Sequence, residues 1–556
     1  MSDLTFLDQL CEKPFNLDSG ACAWVEQTFA RLDEDAKIGQ VFVLMSREFD
    51  DAHVDEIAQF QPGGLTRFCS GGFEDERAMV QRLQTAAAVP LLVSADLEGS
   101  LMSLPFGTEV PNPLALAAVD DAEATRAVGT ITAQEARAVG INWSFTPVLD
   151  INAAFQSAIV ATRSFGDDIE RISRHAGAMI DALQANGIAA TAKHWPGEGY
   201  DDRDQHLVMT VNPLSLDEWR ASFGRLYSMA IEQGIKSIMS AHIAFPAYAA
   251  QFEDPSDTLA VHRPATLSKL LNQRLLREEM GFNGLVVSDA TLMAGLTEVS
   301  PRSEHLPEII ENGCDVILFS PDVQADFATL KRALADGRLS HARLDEAVLR
   351  VLALKASLGL HQPASTPALP DPSAARALAQ SITQRVPTLV KDVQGLLPLD
   401  ASKHRRIYLY GGNRVSPMTG AQEMILAQLL EEEGFDVQVH DPAQPGLGQW
   451  AQSDLVLYAF AEETLLTRER IFFDWARTTG FFLSAMERPW HHVPCAMISF
   501  GYPYYLYDAP RMPCVINAYM ATDGAQRAVV ECLMGRSPFN QTSPVDPFCG
   551  QDIARF

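Results

Sequence analysis

Eight short apolar runs, separated by stretches long enough for helices, lie within the first 320 residues and constrain the fold of this chain more than any other feature. Alternation of strand-like and helix-like segments is typical of parallel α/β proteins, in which each strand is followed by a helix that covers the sheet. Eight such units predict an α/β fold of the (β/α)8 TIM-barrel type. The runs are residues 41–45, 64–68, 90–95, 141–145, 188–192, 237–241, 285–288 and 315–320.

A second, smaller α/β pattern follows the predicted barrel. A last helical stretch at 344–358 precedes residues 361–373, where four prolines predict a semi-rigid linker. Five further apolar runs alternate with helical segments and predict an αβα sandwich with a mostly parallel sheet. We therefore expect a barrel domain at residues 1–360, the linker at 361–373 and a sandwich domain at 374–556. The five runs are residues 406–410, 436–439, 454–460, 496–500 and 514–518.

Polar residues with catalytic potential follow the fifth apolar run of the barrel. Residues 193–199 read Lys-His-Trp-Pro-Gly-Glu-Gly, and residues 204–206 read Asp-Gln-His. Pro196 and Gly197 are expected to end the strand, because proline removes a ladder donor and glycine admits unusual backbone angles. An imidazole two residues from a carboxylate can be oriented by it for proton transfer near neutral pH. Since Asp-x-His also arises by chance in polar loops, this pair alone does not establish a site.

Charged residues also stand at the ends of other predicted elements. Residues 284–289 read Gly-Leu-Val-Val-Ser-Asp, so Asp289 is expected to project from the strand end into a site. A helix N-cap is the alternative role for this carboxylate. Asp96 directly follows the run at 90–95, and Arg163 begins the loop before a helical pattern. The carboxyl ends of barrel strands are where such enzymes place their chemistry, which favours a site built from these residues.

Taken together, these motifs resemble those of glycoside hydrolase family 3, and within it the β-N-acetylhexosaminidase branch. That family carries Lys-His-Phe-Pro-Gly-His-Gly followed by Asp-Ser-His, at the spacing of residues 193–206. It also carries Arg-Ser-Phe-Gly, Asp-x-Glu-Gly-Gly and Ser-Asp-Asp/Ala-x-x-Met elements, which residues 163–166, 96–100 and 288–293 resemble. The resemblance spans nearly the whole chain and implies the two-domain form, a barrel followed by a sandwich.

The resemblance implies a role for each matching residue. Asp289 matches the nucleophile, which attacks the anomeric carbon and forms a covalent glycosyl-enzyme. His206 matches the general acid/base, and Asp204 matches its dyad partner. A nucleophile on one face of the sugar and a proton donor near the leaving oxygen are what a retaining mechanism needs. The residues that match those holding sugar hydroxyls are Asp96, Arg163, Lys193 and His194.

The activity implied by this resemblance is that of a retaining, exo-acting β-N-acetylhexosaminidase that needs no metal or other cofactor. The substrate would be a terminal N-acetylhexosamine on a small glycan or cell-wall fragment, as in peptidoglycan recycling. Two alternatives stay open. Some members of the branch transfer the sugar to phosphate, and a neutral histidine repels phosphate less than a carboxylate does. The other alternative is a non-catalytic sugar-binding protein on the same fold, against which the retained Asp289 and His206 argue.

Four residues depart from the family pattern. Trp195 replaces Phe, Glu198 replaces His, Gln205 replaces Ser, and Ser100 replaces the second Gly of Asp-x-Glu-Gly-Gly. We expect Trp195 to serve packing or to widen an aromatic wall. Glu198 is expected to be a solvated loop carboxylate, because glutamate side chains are mostly exposed, and a competing acid is the alternative.

The second domain is expected to be dispensable for proton donation. In the β-glucosidase branch of the family a glutamate from this domain can supply the acid, whereas here the Asp-x-His pair already lies in the barrel. The domain would then shape an outer subsite, stabilise the barrel or form a subunit contact, and a homo-oligomer stays open. Tyrosines that favour packing at the domain interface over stacking on a sugar are Tyr502, Tyr504, Tyr505 and Tyr507.

Composition limits the partners and the compartment. The formal net charge is −28, from 43 basic and 71 acidic residues, which disfavours nucleic acid and anionic membranes. No segment approaches the roughly 20 apolar residues of a membrane span, and the start lacks a basic, apolar leader, so we expect a cytoplasmic protein. The eight cysteines lack Cys-x-x-Cys spacing and are expected to be reduced packing residues. His491 and His492 have no partner ligands at metal-binding spacing.

Overall fold

Eight parallel strands close into a barrel in the first part of the chain, as the sequence predicts. The computed structural model describes residues 6–363, 366–416, 420–468 and 470–556. The strands of this part are β1 Phe42–Ser46, β2 Gly64–Arg67, β3 Leu92–Ala95, β4 Trp143–Ser144, β5 Ala189–Trp195, β6 Thr210–Val211, β7 Ser237–Ser240, β8 Ile243–Ala244, β9 Leu285–Ala290 and β10 Val316–Leu318. The barrel order is β1-β10-β9-β7-β5-β4-β3-β2, with β2 closing on β1, while β6 and β8 pair separately.

Strand β5 shows how the sequence sets these elements. All seven of its residues are buried, as in a strand covered on both faces. The strand ends at Trp195, directly before Pro196. Gly197 has a φ of +120°, and a Cβ there would lie 2.3 Å from the ring of Phe223. The expectation that Pro196 and Gly197 end this strand is confirmed.

Helices alternate with the barrel strands, and many of them begin at a side-chain cap. In the long helix at 122–139, Asp121 accepts hydrogen bonds from the first-turn N–H groups, and Gly140 with φ +99° ends the helix. Among the described residues, no helix is both long and apolar enough to cross a membrane. The helices are α1 Phe6–Cys11, α2 Ser19–Arg31, α3 Glu34–Gln40, α4 Asp51–Phe60, α5 Phe73–Ala86, α6 Pro113–Val119, α7 Ala122–Val139, α8 Ile169–Ala185, α9 Leu216–Ala221, α10 Phe223–Glu232, α11 Pro246–Ala249, α12 Thr258–Val261, α13 Ala294–Thr297, α14 Arg302–Glu311, α15 Val323–Asp336 and α16 His341–Ser357, with a π-type helix at Leu270–Glu279.

The expectation that all eight cysteines are reduced is wrong for one pair. Cys11 and Cys22 form a disulfide, with their Cα atoms 6.1 Å apart. They meet because α1 and α2 contact each other across a short connection. The other six cysteines carry free thiols, as expected.

The second domain is a seven-stranded, mostly parallel sheet with helices. Its five parallel strands match the five apolar runs, whereas the antiparallel strands β11 and β13 given below were not expected. The Pro-rich linker falls partly on residues 364–365, which lie outside the described residues, and the next helix begins at Pro372. The elements are α17 Pro372–Thr383, β11 Thr388–Asp392, β12 Arg406–Ser416, β13 Gly420–Glu423, α18 Leu426–Glu432, β14 Asp436–Val439, β15 Leu455–Glu462, α19 Trp475–Thr479, β16 Cys495–Ser499, β17 Cys514–Asn517 and α20 Asp523–Leu533.

The predicted tyrosine cluster lies at the interface between the two domains. The hydroxyl of Tyr502 donates to the backbone carbonyl of Phe155, on the barrel side, at 2.6 Å. The ring of Phe155 lies 4.6 Å from that of Tyr507 and 6.2 Å from that of Tyr504, centre to centre. The expectation that these tyrosines pack between the domains is confirmed for Tyr502, Tyr504 and Tyr507, whereas Tyr505 contacts Glu462 and Phe460 of the second domain.

A buried carboxyl group also joins the domains. Glu463, which directly follows β15, accepts hydrogen bonds from the Ser100 hydroxyl at 2.5 Å and from the Asn112 amide at 3.1 Å. The backbone N–H of Ala521 donates to it as well, at 2.7 Å. Burial raises the pKa of Glu463 to about 7, although these three donors favour the ionised form.

This carboxyl group is expected to make the stability of the protein depend on pH. The folded chain keeps the Glu463 proton up to about pH 7, whereas the unfolded chain releases it near 4.5. Between these values the folded state binds more protons, so its free energy of unfolding falls as pH rises. The fall is at most about 3.5 kcal/mol, since one pKa unit corresponds to about 1.4 kcal/mol. Denaturant unfolding of wild type and Glu463→Gln between about pH 4.5 and 8 isolates this contribution, because glutamine does not titrate. Parallel pH profiles of the two proteins would contradict it.

Candidate active site

The sequence-predicted site residues lie at the carboxyl end of the barrel, as parallel α/β enzymes require. Strand β3 ends just before Asp96, β5 contains Lys193 and His194, and β9 contains Asp289. Arg163 ends a short 3-10 helix in the connection that follows β4, and the loop after β5 carries Asp204 and His206. The geometry divides these residues into three groups. They are the cationic pair Arg163 and Lys193 with its neighbours, the loop dyad Asp204 and His206, and the β9 carboxylate Asp289.

The cationic pair is held by a carboxylate that we did not single out in the sequence. Arg163 makes two parallel hydrogen bonds to Glu98, at 2.8 and 2.9 Å. Lys193 Nζ lies 2.7 Å from Glu98 and 2.9 Å from Asp96, whose side chain is about one-third exposed. Burial would raise the pKa of Glu98, but Arg163 and Lys193 hold it well below its ordinary value. The two cations are therefore nearly buried, while the Asp96 carboxylate beside them is open to solvent.

His194 is fixed by a second buried carboxylate, Asp150. The Nδ1 atom of His194 lies 2.6 Å from Asp150 Oδ2, so we assign the proton on Nδ1 to this hydrogen bond. The backbone N–H groups of His194 and Glu198 donate to the other oxygen, at 3.1 and 3.0 Å. The Nε2 atom then accepts from Arg163 Nη2, at 3.3 Å. Both ring nitrogens are engaged, which locks the orientation of the imidazole.

Asp204 and His206 form a dyad in the loop after β5. The Oδ1 atom of Asp204 lies 2.7 Å from His206 Nδ1 and accepts the His206 backbone N–H at 2.8 Å. The other oxygen, Oδ2, accepts the backbone N–H of Thr467 from the second domain, at 2.9 Å. The Asp204 side chain is 1% exposed and that of His206 is 24% exposed. With Nδ1 bound to Asp204, Nε2 is the nitrogen left for proton exchange with a ligand.

Asp289 lies in β9, next to the last residue of the strand, and is 9% exposed. Its Oδ1 atom accepts the backbone N–H of Ala290 at 2.7 Å. Burial would raise the pKa of Asp289, but the imidazoles of His194 and His242 lower it below its ordinary value. His206 and the Ala290 N–H act in the same direction. Asp289 does not cap a helix, because it is part of strand β9 and has histidines as its neighbours.

Two of the departures from the family pattern contact each other. Gln205 Nε2 donates to Glu198 Oε2 at 3.0 Å, while Gln205 Oε1 accepts the backbone N–H of His242. Glu198 is 3% exposed, so the expectation of a solvated carboxylate is wrong. Burial, followed by the charge of Asp150, raises the pKa of Glu198 well above its ordinary value. Its Oε1 atom is buried without a hydrogen-bond partner among the described residues. Burial and the neighbouring carboxylates therefore favour the neutral form of Glu198.

Trp195, a third departure, is a packing residue. Its side chain is 0% exposed and meets the rings of Trp219 and Tyr227 edge-on, with centres 5.7 and 4.9 Å apart. Such contacts stabilise the end of strand β5, because they bury aromatic surface. Of the two roles expected for this residue, the structure supports packing.

Asp150, His194 and Glu198 are the one group among the described residues whose potential metal-ligand atoms lie within 4.8 Å of one another. A metal needs all three ligand atoms deprotonated. Here the Nδ1 proton of His194 is held by Asp150, and the pKa of Glu198 is raised. The arrangement favours a hydrogen-bond network rather than a metal centre.

Comparison with known proteins identifies the family and agrees with the fold. The glycosyl hydrolase family 3 N-terminal domain model matches residues 33–354. A β-N-acetylglucosaminidase/β-glucosidase from Cellulomonas fimi is 39% identical over 562 residues, which cover 98% of this chain and 99% of that protein. The solved β-glucoside phosphorylase BglX, bound to 2FGlc, is 35% identical with a TM-score of 0.90, covering 98% of this chain and 100% of its own. A family 3 β-N-acetylglucosaminidase from Paenibacillus sp. str. FPU-7 is 26% identical with a TM-score of 0.81, covering 93% and 99%. This chain therefore belongs to glycoside hydrolase family 3.

Proposed function

We propose that this protein is a retaining, exo-acting β-N-acetylhexosaminidase that removes a terminal N-acetylglucosamine from small glycans or cell-wall fragments. The observation that carries the proposal is the pairing of an ionised carboxylate, Asp289, with a histidine oriented by Asp204 at the same end of the barrel. The relatives named β-N-acetylglucosaminidase support the choice of sugar.

In the first step, Asp289 attacks the anomeric carbon as the bond to the leaving oxygen breaks. His206 gives its Nε2 proton to that oxygen, and Asp204 stabilises the orientation of the ring. A covalent ester between Asp289 and the sugar results, and the aglycone leaves as an alcohol. In the second step, His206, now neutral, takes a proton from water, which attacks the same carbon and releases Asp289. Two inversions retain the β configuration.

The sugar would be held by the four remaining residues. Lys193 and Arg163 offer charged donors, and the partly exposed carboxylate of Asp96 offers acceptors for a pair of hydroxyls. Because Glu98 and Asp150 fix the cations and His194 in the free protein, little ordering is needed when the sugar binds. A preorganised polar set of this kind suits a terminal sugar with several free hydroxyls.

A β-glycoside phosphorylase is the second candidate, favoured by the 35% identity to the phosphorylase BglX. The first step would be the same. In the second, phosphate would attack the glycosyl-enzyme and the product would be a sugar 1-phosphate. An acid/base that is neutral after the first step repels this dianion less than a carboxylate at the same place does.

A panel of aryl β-glycosides, assayed with and without phosphate, tests both candidates. We expect the N-acetylglucosaminide to be turned over faster than the N-acetylgalactosaminide, glucoside and xyloside, with free sugar as the product. Sulfate at equal ionic strength serves as the control for a salt effect. Sugar 1-phosphate as the main product would replace the hydrolase with the phosphorylase. Tight glycan binding without turnover of any substrate would instead indicate a sugar-binding protein.

A further inference from the structure

A short segment of the second domain is built into the candidate site of the barrel. Residues 463–467, here called the docking segment, leave β15 and run along the barrel loops. Within this segment the backbone N–H of Leu465 donates to the Ala158 carbonyl at 3.2 Å, and the hydroxyls of Thr464 and Thr162 lie 3.2 Å apart. The segment is thus held to the barrel by its side chains and by its backbone.

The two ends of the docking segment make its most informative contacts. At its start, the buried Glu463 carboxyl group accepts from Ser100 and Asn112 of the barrel. At its end, the backbone N–H of Thr467 donates to Asp204 Oδ2 at 2.9 Å. Asp204 is therefore held from both sides, by His206 through Oδ1 and by the second domain through Oδ2.

The backbone adopts an unfavourable conformation at Thr467 and at Ser100, the barrel residue that contacts Glu463. Thr467 has a φ of +60° and Ser100 has a φ of +48°, in the left-handed region that β-branched and most other residues avoid. Such conformations cost on the order of 1 kcal/mol or more and persist where the surrounding contacts fix them. Here the strained residues are those that form the contacts. Ser100 stands where the family has glycine, and its hydroxyl supplies the hydrogen bond to Glu463 that glycine lacks.

We propose that the docking segment is a positioning element for proton transfer: Thr467 fixes Asp204, Asp204 fixes His206, and Glu463 anchors the segment on the barrel. The acid/base dyad is then complete only when the second domain is docked, although that domain supplies no proton. This inference rests on the proposed function. It replaces the expectation that the second domain serves only an outer subsite, stability or a subunit contact.

Replacing Thr467 with proline tests the positioning role directly. Proline removes the N–H and cannot adopt a positive φ, whereas Thr467→Gly keeps the N–H and accepts that φ easily. The side chain of Thr467 is exposed, so neither change disturbs a core. With the sugar that the wild type accepts, we expect Thr467→Pro to lose roughly 10- to 100-fold in kcat/KM on an alkyl glycoside, a part of what general acid catalysis contributes. We expect a loss of less than about threefold on the dinitrophenyl glycoside, and Thr467→Gly should retain most of the activity on both.

A double-mutant cycle separates positioning from general damage. In an Asp204→Asn background, Thr467→Pro should add little further loss, because the contact acts through the Asp204 carboxylate. Ser100→Ala, which removes one of the two barrel side-chain donors to Glu463, should show the same leaving-group dependence in a weaker form and serves if Thr467→Pro does not fold. Equal losses on both leaving groups, or losses that multiply with Asp204→Asn, would overturn the proposal. If His206→Ala itself shows no leaving-group dependence, the proposed function fails instead.

Discussion

Replacement of Asp289 with alanine is expected to lower kcat roughly 10⁴- to 10⁶-fold, as happens when a covalent nucleophile is removed from an enzyme. The carboxylate lies among His194, His206 and His242, which hold it ionised and therefore nucleophilic. The neighbouring carboxyl groups Glu198 and Asp204 are poor substitutes, because burial favours the neutral form of Glu198 and because Asp204 is bound to His206 and the Thr467 N–H. Steady-state turnover of an aryl glycoside and single-turnover release of the aryl alcohol measure the loss. Near wild-type turnover by this variant would rule out Asp289 as a covalent nucleophile.

Azide gives this experiment a stereochemical control. In Asp289→Ala the anion can occupy the volume of the lost carboxylate and attack the anomeric carbon from that face, which yields the α-glycosyl azide. Asp289→Asn has nearly the volume of the wild-type side chain, so it should be equally inactive but resist this rescue. Equal thermal unfolding midpoints of the three proteins would show that the fold is intact. A rescued product of β configuration would place the nucleophile elsewhere.

The barrel could be predicted because each of its strands is a local apolar run. All eight predicted runs overlap a barrel strand, although their ends differ by up to three residues. Strand β4 is only Trp143–Ser144, while β5 continues through polar Lys193 and His194 to Trp195. Polar residues end an apolar run in the sequence, but they continue a strand where buried partners such as Glu98 and Asp150 compensate them.

The antiparallel strands of the second domain could not be predicted in the same way. Strand β13, Gly420–Glu423, contains no large apolar residue and exists because it pairs with β12. Strand β11, Thr388–Asp392, pairs with β17, which follows more than 120 residues later in the sequence. Strand formation depends on such partners more than on intrinsic preference.

The site residues at strand ends were predictable, but the groups that hold them were not. Glu98 carries a signal, since it stands two residues after Asp96 within the same motif. Asp150 carries a weaker one, at the end of the segment that follows the fourth apolar run. The N–H of Thr467 carries no signal in the sequence. It is a backbone donor, which nearly every residue type has, and it lies 263 residues away from Asp204.

Residues that depart from the family pattern are explained by the hydrogen bonds that they form. Glu198 and Gln205, each unexpected alone, are hydrogen-bonded to each other. Ser100, at a position that favours glycine, is hydrogen-bonded to Glu463 of the second domain. A carboxylate in place of an imidazole at Glu198 would add charge next to Asp289 and Asp204, but burial raises the pKa of Glu198 and favours its neutral form. The net charge near the dyad is therefore close to that with a neutral histidine.

His206→Ala is expected to lose about 10²- to 10⁴-fold in kcat/KM on a disaccharide, yet to keep much of its first-step rate on a dinitrophenyl glycoside. A poor leaving group needs the proton from Nε2, whereas a dinitrophenolate departs without it. The second step still lacks its base, so the glycosyl-enzyme should accumulate and give a burst of dinitrophenolate followed by slow turnover. Azide, which attacks without base assistance, should accelerate this slow phase and yield the β-glycosyl azide, the anomer opposite to that from Asp289→Ala.

Glu198→Gln is the matched control for this histidine. Glutamine mimics the protonated carboxyl group that burial favours at Glu198, and it can keep the contact to Gln205. We expect any loss in this variant to be small and equal for good and poor leaving groups. If Glu198 were the acid, the leaving-group dependence and the rescue by azide would appear in Glu198→Gln and be absent from His206→Ala. A uniform loss across all leaving groups in His206→Ala would mean that the histidine, fixed by Asp204, orders the loop after β5 and does not transfer the proton.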